Sequence, residues 1–442
     1  MIKLIQKELI GKGAAEIAAS IEQLVASGVF EAGAQLPPVR KAAELLQVSP
    51  GTIAVVYRTL QGRGVVLSDG RRGTQVAPRR AGMIPRPLEL PSGTIDLENG
   101  NPDPDLLPKL DQVLRSIDPA PRLYGGPLND PDLVEVVRKD FEQDGVAGDL
   151  ISVTYGALDA IDRVLSETAR CGDRVGVEDP GYGNIFDILA ARKLQPIPIA
   201  TDQFGVTAEG VAAAIEKGVR AIIVSPRASN PTGSSCCPQR QREVRAVLKR
   251  TPELLVIEND HAAYIADAPF HSIVPPGQRA WVVIRSLSKA LNPDFRIAVM
   301  TGETELLRRI EDRLVVSERW VSNLIQRMVA ALLTDKKVRR HLGSASTIYS
   351  ERRERLRQEL KKHGIASTGS SGFNVWVPVV DESSVICSLM TRGWAVRAGA
   401  RHRIASGPGV RITAATLTAT QAASFAEDFG AIVNGRGARS SA

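Results

Sequence analysis

Apolar residues recur three and four positions apart in three successive stretches near the N-terminus, which predicts three helices that each bury one face. Ser49 is a good N-cap for the third helix, and Pro50 stands at its first position, where a missing N–H is tolerated. Gly62 and Gly64 end that helix. The inward-facing residues are Ile17, Ile21, Leu24 and Val25, then Val39, Ala43 and Leu46, and finally Ile53, Val56, Tyr57 and Leu60.

Two short strands are predicted after the third helix, in VVLSDGRRGTQVAP, around a turn that carries Arg71 and Arg72. Three helices and a basic hairpin form a winged helix-turn-helix. In that arrangement the third helix would enter the major groove of DNA, and the wing would reach phosphates or the minor groove. Residues 1–76, called the head below, hold nine Lys or Arg and six Asp or Glu. This balance is compatible with double-stranded DNA as a partner.

Residues 77–94 hold four prolines and no periodic apolar pattern, which predicts a semi-extended linker. From Ile95 onward, short apolar strands alternate with longer amphipathic stretches. This rhythm predicts an α/β domain over residues 95–435, with a mainly parallel sheet covered on both faces, followed by a disordered tail at 436–442. Ligands of such sheets bind at the carboxyl ends of the strands. The predicted strands are RVGVE (174–178), AIIVS (221–225), LLVIE (254–258), WVVIR (281–285) and IAVMT (297–301).

The composition is ordinary for a globular protein, with 43% hydrophobic and 24% charged residues among 442, and this length favours two or three domains. No apolar run approaches the roughly 18–20 residues of a membrane helix, and the N-terminus lacks the pattern of a secretory signal. The cysteines Cys171, Cys236, Cys237 and Cys387 have no metal-ligand or disulfide spacing. We therefore expect a reduced, cytoplasmic protein without a metal site. Its net charge of +7 permits nucleic-acid binding.

The stretch RSLSKALNPDFR (285–296) places Lys289 directly after a predicted buried strand. A lysine there can lose its charge through desolvation and nearby cations, and the neutral amine can form a Schiff base with an aldehyde. The hydroxyls of Ser286 and Ser288 and the guanidinium of Arg296 would suit a phosphate. An aldehyde that bears a phosphate describes pyridoxal 5′-phosphate (PLP). By itself the stretch equally fits a surface lysine after a strand.

The head resembles the DNA-binding domain of the GntR family of bacterial regulators, through LPPVRKAAELLQVSPGTIAVVYRTLQGRG and GRRGTQV. Family members often carry an Arg or another polar residue one turn into the recognition helix, where Ala54 and Val55 stand in this chain. Base readout would then fall on few residues. Alternatively, Tyr57 belongs to the core, and Arg40 and Arg58 form a solvated helix face. The DNA contacts implied by the resemblance are Arg40, Ser49, Thr52, Arg58, Arg71, Arg72 and Gly73.

Five motifs over about residues 97–430 resemble fold-type I PLP aminotransferases. With the GntR-like head, the chain resembles a MocR-type regulator, in which a winged helix-turn-helix is joined to a fold-type I PLP-dependent transferase domain. That domain would have a mainly parallel sheet and a smaller C-terminal α/β part. The stretch GNPDPDLLP and the head resemble the PtsJ-type branch, which is linked to vitamin B6 salvage. The five motifs are LYGGPLND (123–130), TYGALDAI (154–161), EDPGYGN (178–184), SNPTG (229–233) and GVRIT (409–413).

The resemblance implies that Lys289 carries PLP as an internal aldimine. The backbone N–H groups of Gly156 and Ala157 would hold the phosphate at a helix N-terminus, where the helix dipole favours an anion. The other members of this phosphate cup would be Ser286, Ser288 and Arg296.

Four further residues are implied to contact the cofactor or the effector. Tyr182 would stack on the pyridine ring, and Asn230 would bond its phenolic oxygen. Arg411 would pair with a substrate or effector carboxylate. Tyr124 would reach the phosphate bound by the neighbouring subunit, since the family builds its site at a dimer interface. Structural roles remain open, with Tyr182 in the core, Asn230 shaping a turn and Arg411 in an ion pair.

The run VIENDHAAY departs from the family, which usually has Glu-Asp-Asp followed by an aromatic residue. In the simplest alignment Asn259 replaces the aspartate that keeps the ring nitrogen protonated, and His261 replaces the tyrosine at the phenolic oxygen. An uncharged amide cannot hold a pyridinium as a carboxylate does, so transamination would weaken. A slip of one residue would put Asp260 there instead. Asp260 could also cap a helix, and His261 could simply be packed.

Together these features predict a PLP-dependent transcriptional regulator, a head-to-tail homodimer with two DNA-binding heads. Its effector would be PLP itself, an amino acid or an amine, sensed through the Lys289 aldimine. One alternative is an active aminotransferase with an appended DNA-binding head, which Arg411 favours and Asn259 disfavours. Another is a DNA-binding protein whose second domain only dimerises.

Overall fold

The computed structural model describes residues 13–26, 30, 33–62, 65–69, 73–76 and 90–437. The chain divides into two units. One takes in the N-terminal residues up to Glu89 together with two short segments, Arg170–Asp173 and Leu189–Gln195, and the other takes in the remainder from Leu90 onward. The division falls within the predicted linker 77–94, of which residues 77–89 lie outside the described part.

The described part of the head contains three helices and one hairpin, as predicted. Their bounds are α1 (Ala14–Ala26), α2 (Val39–Leu46), α3 (Pro50–Gly62), β1 (Val66–Asp69) and β2 (Gly73–Val76). The two strands pair antiparallel, with Val66 opposite Val76 and Asp69 opposite Gly73. The turn residues Arg71 and Arg72 lie outside the described residues.

A single apolar core holds the head together. The residues predicted to face inward all belong to this core or pack against it, joined by Phe30, Leu36, Val66 and Val76. Tyr57 is one of the core residues, and its hydroxyl donates to the carbonyl oxygen of Pro37 at 2.7 Å. The interpretation of Tyr57 as core is therefore confirmed.

The second unit is built on an eight-stranded sheet with the order β4-β11-β10-β9-β8-β5-β6-β7. Four neighbouring strands, β10, β9, β8 and β5, run parallel. The bounds are β4 (Ile151–Thr154), β5 (Arg174–Asp179), β6 (Gln195–Asp202), β7 (Gly205–Val206), β8 (Ala221–Val224), β9 (Leu255–Asp260), β10 (Trp281–Ser286) and β11 (Ala298–Gly302). All five predicted strands are present. The IAVMT run, β11, is antiparallel to both of its neighbours, so the sheet is mixed although mainly parallel.

Helices supply the apolar clusters that cover this sheet. One cluster joins strand residues such as Val283 and Val299 to helix residues such as Phe141 and Val329. Another joins Val256 to the two helices that follow β7 and β8. The helices up to the C-terminal part are α4 (Asp111–Ser116), α5 (Pro131–Gln143), α6 (Ala157–Thr168), α7 (Gly183–Ala191), α8 (Ala208–Glu216), α9 (Pro238–Leu248), α10 (Thr304–Val316), α11 (Asn323–Thr334) and α12 (Lys336–Lys362).

The smaller C-terminal part has a three-stranded antiparallel sheet with the order β12-β15-β14. Separately, β13 pairs with the first strand after the linker, β3. The bounds are β3 (Ile95–Asp96), β12 (Asn374–Pro378), α13 (Glu382–Met390), β13 (Trp394–Ala395), β14 (Arg397–Ala398), β15 (Gly409–Thr413) and α14 (Ala419–Gly437). Helix α14 reaches two residues into the predicted tail 436–442, whose last five residues lie outside the described part. No helix within the described residues is both long and apolar enough to cross a membrane.

Candidate functional site

Lys289 lies three residues beyond the end of β10, at the carboxyl end of the parallel strands. Its nitrogen Nζ is 4.8 Å from the centre of the Phe373 ring. Burial, and then the positive charge of Arg411, lower the pKa of Lys289 to about 7. At neutral pH a large share of this amine is therefore unprotonated and able to act as a nucleophile.

Gly156 and Arg296 meet at the N-terminus of α6. Gly156 is the N-cap, with φ 98° and no side-chain hydrogen bond to the cap, and Ala157 is the first helical residue. A Cβ added to Gly156 would lie 3.2 Å from Nη2 of Arg296, so a glycine here lets the guanidinium approach the backbone. Arg296 itself has a left-handed backbone, with φ 46°. The helix end and the guanidinium together give a positive site suited to an anion.

Ser286 is the last residue of β10, and Ser288 lies on the short segment between β10 and Lys289. The backbone N–H of Ser288 donates to Oγ of Ser286 at 3.4 Å, so the two residues are direct neighbours. Both predicted phosphate-cup serines therefore belong to the same turn as the lysine.

Arg411 is buried in the middle of β15. Its Nη1 donates to Oδ1 of Asn230 at 3.2 Å, and its Nη2 donates to the carbonyl oxygen of Glu98. Nε of Arg411 is buried without a hydrogen-bond partner in the described part of the chain. Burial and the neighbouring positive charge of Arg397 lower the pKa of Arg411 to about 10. This guanidinium is thus held by neutral oxygens and keeps capacity for a carboxylate.

Tyr182 and His261 are two further predicted site residues. Burial raises the pKa of Tyr182, and the positive charges of Arg411 and Arg296 oppose that shift. Burial and the charge of Lys289 lower the pKa of His261 to about 3. His261 is therefore a neutral imidazole beside the lysine.

Asn259 and Asp260 point to opposite faces of the sheet, because they are consecutive residues of β9. Asn259 lies beside Ile284 of the neighbouring strand, and its Oδ1 is buried without a hydrogen-bond partner among the described residues. Asp260 is fully buried and receives hydrogen bonds from two arginines. Both Nε and Nη2 of Arg227 donate to Asp260 at 2.8 Å, and Nε of Arg285 donates at 3.0 Å.

These two arginines form a buried ion network on the face of β9 away from Asn259. Asp144 at the C-terminal end of α5 accepts hydrogen bonds from both guanidinium groups. The Arg285 guanidinium also lies over the Phe141 ring, 4.4 Å from its centre. The arginines hold the pKa of Asp260 below its usual value, against the opposing effect of burial. Asp260 is thus ionised and fully engaged, and it caps no helix.

The predicted DNA contacts of the head that the structure describes lie at or near its surface. Arg40, Ser49, Arg58 and Gly73 are exposed, and Thr52 is half-buried. The Ser49 hydroxyl accepts the Thr52 N–H at 3.0 Å, and the two hydroxyl oxygens are 2.9 Å apart. Ser49 therefore acts as the predicted N-cap.

Comparisons with known proteins match both units of the chain. Residues 14–76 match "Bacterial regulatory proteins, gntR family", and residues 146–429 match "Aminotransferase class I and II". The chain belongs to the GntR family, in its MocR-type branch. A MocR-type protein is a transcription regulator whose winged helix serves DNA binding and whose larger domain is aminotransferase-like.

Two curated relatives extend over most of this chain. It is 34% identical to the vitamin B6 salvage pathway transcriptional repressor PtsJ of Salmonella typhimurium, over 96% of this chain and 99% of that protein. It is 23% identical to the pyridoxine biosynthesis transcriptional regulator PdxR of Corynebacterium glutamicum, over 78% of each chain. Among solved structures, the chain is similar to LysN, the α-aminoadipate aminotransferase of Thermus thermophilus, complexed with N-(5′-phosphopyridoxyl)-L-leucine. The TM-score is 0.69 and the sequence identity is 19%, over 78% of this chain and 94% of that one. The larger unit of this MocR-type chain therefore has the fold-type I aminotransferase fold.

Sequence reasoning missed the contacts of this site that join distant segments. Arg285 was not identified, although the sequence contains a signal for it, since a charge inside an otherwise apolar strand must find a buried partner.

His402 is a second residue that the sequence analysis did not identify. Its Nδ1 lies 3.0 Å from the carbonyl oxygen of Gly181, its Nε2 is buried without a partner in the described part, and burial and the Arg411 charge lower its pKa to about 3. The contact of Arg411 with the Glu98 backbone leaves no trace in the sequence.

Tyr124 is not brought into the group around Lys289 by the contacts of its own chain. Its side chain is 77% exposed, and its ring packs edge-on against Trp320 with 5.5 Å between centres. The Arg319 guanidinium lies 5.0 Å from the same ring. The neighbouring Leu123 is equally exposed, so this segment presents an apolar surface to solvent.

Proposed function

We propose that the chain is a PLP-responsive transcriptional regulator that binds PLP at Lys289 and uses the site for sensing rather than for transamination. One observation carries the proposal, namely a buried, partly neutral lysine close to an arginine that lacks a carboxylate partner among the described residues. The similarity to PtsJ and PdxR supports a role in vitamin B6 metabolism. When bound, PLP supplies an aldehyde that a neutral amine can attack and a ring that withdraws electrons once its nitrogen is protonated.

The residues around Lys289 fit such a group. The anion site at the α6 N-terminus would hold the phosphate, and Tyr182 would cover the ring. Asn230 and the neutral His261 would serve the phenolic oxygen. The buried Oδ1 of Asn259 has no other partner in the described chain, and its amide would face the ring nitrogen. The phosphate-cup residues proposed on this basis are Gly156, Ala157, Ser286, Ser288 and Arg296.

The state of Asp260 supports sensing over catalysis. A carboxylate beside the ring nitrogen would stabilise a proton there, whereas the Asn259 amide carries no charge to do so. Asp260 lies on the opposite face of the strand and is held by Arg227 and Arg285. Replacing the amide by Asp260 would require a one-residue slip of β9, which would break these ion pairs and bury two uncompensated cations. We therefore assign the ring position to Asn259.

A second copy of the chain would complete the site. Leu123 and Tyr124 are each 77% exposed, and Val316 is 87% exposed, which leaves apolar side chains that a partner surface would cover. A homodimer formed there would bring Tyr124 of one copy toward the phosphate site of the other. A head-to-tail arrangement of the two chains, which carry two DNA-binding heads, belongs to the same proposal.

A carboxylate effector would act on the segment that follows the linker. Residues 95–98, called the strap below, are tied down by backbone hydrogen bonds from Leu97 N–H to Ala395 and from Thr413 N–H to Leu97, both at 2.9 Å. The Glu98 carbonyl accepts from Arg411, and the Glu98 carboxylate accepts from Arg397 at 2.5 Å. A carboxylate that binds Arg411 would displace the Glu98 carbonyl. The strap follows the linker along the chain. A displacement of the strap by the effector would therefore act on the linker, and through the linker on the head.

The test is a paired measurement of PLP binding and DNA affinity on the full-length protein. We expect PLP to give a visible absorbance band with the wild type and with Lys336→Ala, a matched surface control, but not with Lys289→Ala. We also expect PLP to change the affinity for a site selected from random double-stranded DNA, and to do so only in the variants where the band forms. Unchanged DNA affinity on PLP binding would refute the regulatory role. Rapid bleaching of the band by an amino acid would instead favour the active aminotransferase, which is the second candidate because Arg411 has no carboxylate partner within the described part of the chain.

A further inference from the structure

The exposed face of α3 has an apolar centre. Gly51, Val55 and Arg58 lie at positions i, i+4 and i+7, so they line one stripe of the helix. Val55 is 44% exposed, and within the described part of the head it is the one large apolar side chain that is exposed. The core residues of the same helix, in contrast, are at most 8% exposed.

The space beside Val55 is open. A Cβ added to Gly51 would meet nothing closer than Oγ of Ser49, at 3.6 Å, so the missing side chain leaves a shallow recess next to the valine. The polar groups around this recess already have partners. Ser49 and Thr52 share a hydrogen bond, and Nε of Arg58 donates to the carbonyl oxygen of Ala54 at 3.3 Å. The middle of the stripe therefore offers neither a donor nor an acceptor to a base edge.

Among the four bases, thymine alone presents an apolar group, its 5-methyl, in the major groove. The other base edges present donors and acceptors there, and a valine against them would leave these groups without hydrogen bonds. We propose that Val55 reads a thymine 5-methyl group in each half-site of the operator, with the methyl seated in the recess beside Gly51. This inference rests on the binding of DNA through α3. It predicts a fixed thymine at the centre of the contact, and the Arg58 side chain would reach the neighbouring base pairs or phosphates.

The experiment uses full-length protein and a high-affinity site selected from random double-stranded DNA. Each thymine of that site is then replaced in turn by deoxyuridine, which lacks only the 5-methyl group. We expect one thymine per half-site at which uracil weakens binding by the wild type about three- to fivefold, the effect of losing one buried methyl. With Val55→Ala the same replacement should have a clearly smaller effect, since the shorter side chain loses most of its contact with the methyl. Gln61→Ala, at the exposed end of the same helix, should keep the wild-type response to uracil.

The possible outcomes separate this inference from the proposed function. If the wild type selects a defined site but no thymine shows a Val55-dependent response to uracil, the reading of thymine by Val55 is overturned while DNA binding stands. If the protein selects no site at all, DNA recognition by the head fails, and the inference fails with it. Val55→Ala leaves the core untouched, and an unchanged thermal unfolding curve would verify that the variant is folded.

Discussion

On the proposed assignment, Asn259 faces the ring nitrogen of bound PLP, and its uncharged amide cannot hold a proton there as a carboxylate would. We predict that Asn259→Asp makes the PLP-loaded protein react with amino acids about tenfold faster or more, since an adjacent carboxylate favours a protonated ring nitrogen by one pKa unit or more. The measurement is the rate at which an amino acid bleaches the visible band in single-turnover experiments. Asp260→Asn should not accelerate the reaction, and because it weakens the ion network with Arg227 and Arg285, its folding is checked first by thermal unfolding. Equal rates in Asn259→Asp and the wild type would mean that residue 259 does not face the ring.

Lys289 should make PLP capture depend on pH. Its pKa of about 7 in the folded protein means that the amine is mostly protonated at pH 6 and mostly neutral at pH 8. The rate of PLP capture should therefore rise about tenfold between these pH values, following the neutral fraction. Stopped-flow absorbance after mixing with PLP measures this rate.

Arg411 provides the control for this pH profile. Its positive charge, after burial, is the second cause that lowers the lysine pKa. Arg411→Met removes that charge, so the midpoint of the profile should move to higher pH. A rate that stays flat from pH 6 to pH 8 in the wild type would contradict the assignment of Lys289 as the attacking amine.

At the scale of elements, the ion network under β9 fixes the register on which the site depends. Arg285 is 1% exposed, contacts Asp260 and Asp144, and joins β10 to β9 and α5. We predict that Arg285→Ala lowers the free energy of unfolding by about 3–5 kcal/mol, because it removes one of the two arginines that neutralise the buried Asp260 and leaves a cavity over the Phe141 ring. Urea unfolding of the full-length protein measures the change.

The chain offers a matched control for Arg285. Arg279 also pairs with a carboxylate, Glu253, at 2.5 Å, but both side chains are largely exposed. Arg279→Ala should therefore change the free energy of unfolding by less than about 1 kcal/mol. Equal effects of the two substitutions would show that the buried network does not stabilise the sheet.

At the scale of the whole molecule, the order of helices and strands could be predicted from local sequence patterns. The geometry of the site could not, because it depends on contacts between residues that are far apart in the sequence. Apolar runs located all five predicted strands, but an apolar run has no direction, so the antiparallel course of β11 could not be foreseen. The alternation of side chains along a strand predicts that Asn259 and Asp260 lie on opposite faces of the sheet. The alternation does not predict which of the two faces Lys289, because this depends on the ion pairs of Asp260 with Arg227 and Arg285. The hydrogen bond from Arg411 to the Glu98 carbonyl oxygen joins residues 313 positions apart, so it could be found only in the folded structure.

The position of Tyr124 makes the dimer itself testable. If Tyr124 serves the neighbouring copy, Tyr124→Phe removes one hydrogen bond to the phosphate, and the homodimer should bind PLP about tenfold more weakly. A mixed dimer of Tyr124→Phe and Lys289→Ala would then contain one intact site, built from the lysine of the first chain and the tyrosine of the second. Titration of purified mixed dimers should recover wild-type PLP affinity at half of the sites. If Tyr124 acted within its own chain, every site of the mixed dimer would carry a defect, and wild-type affinity would not return.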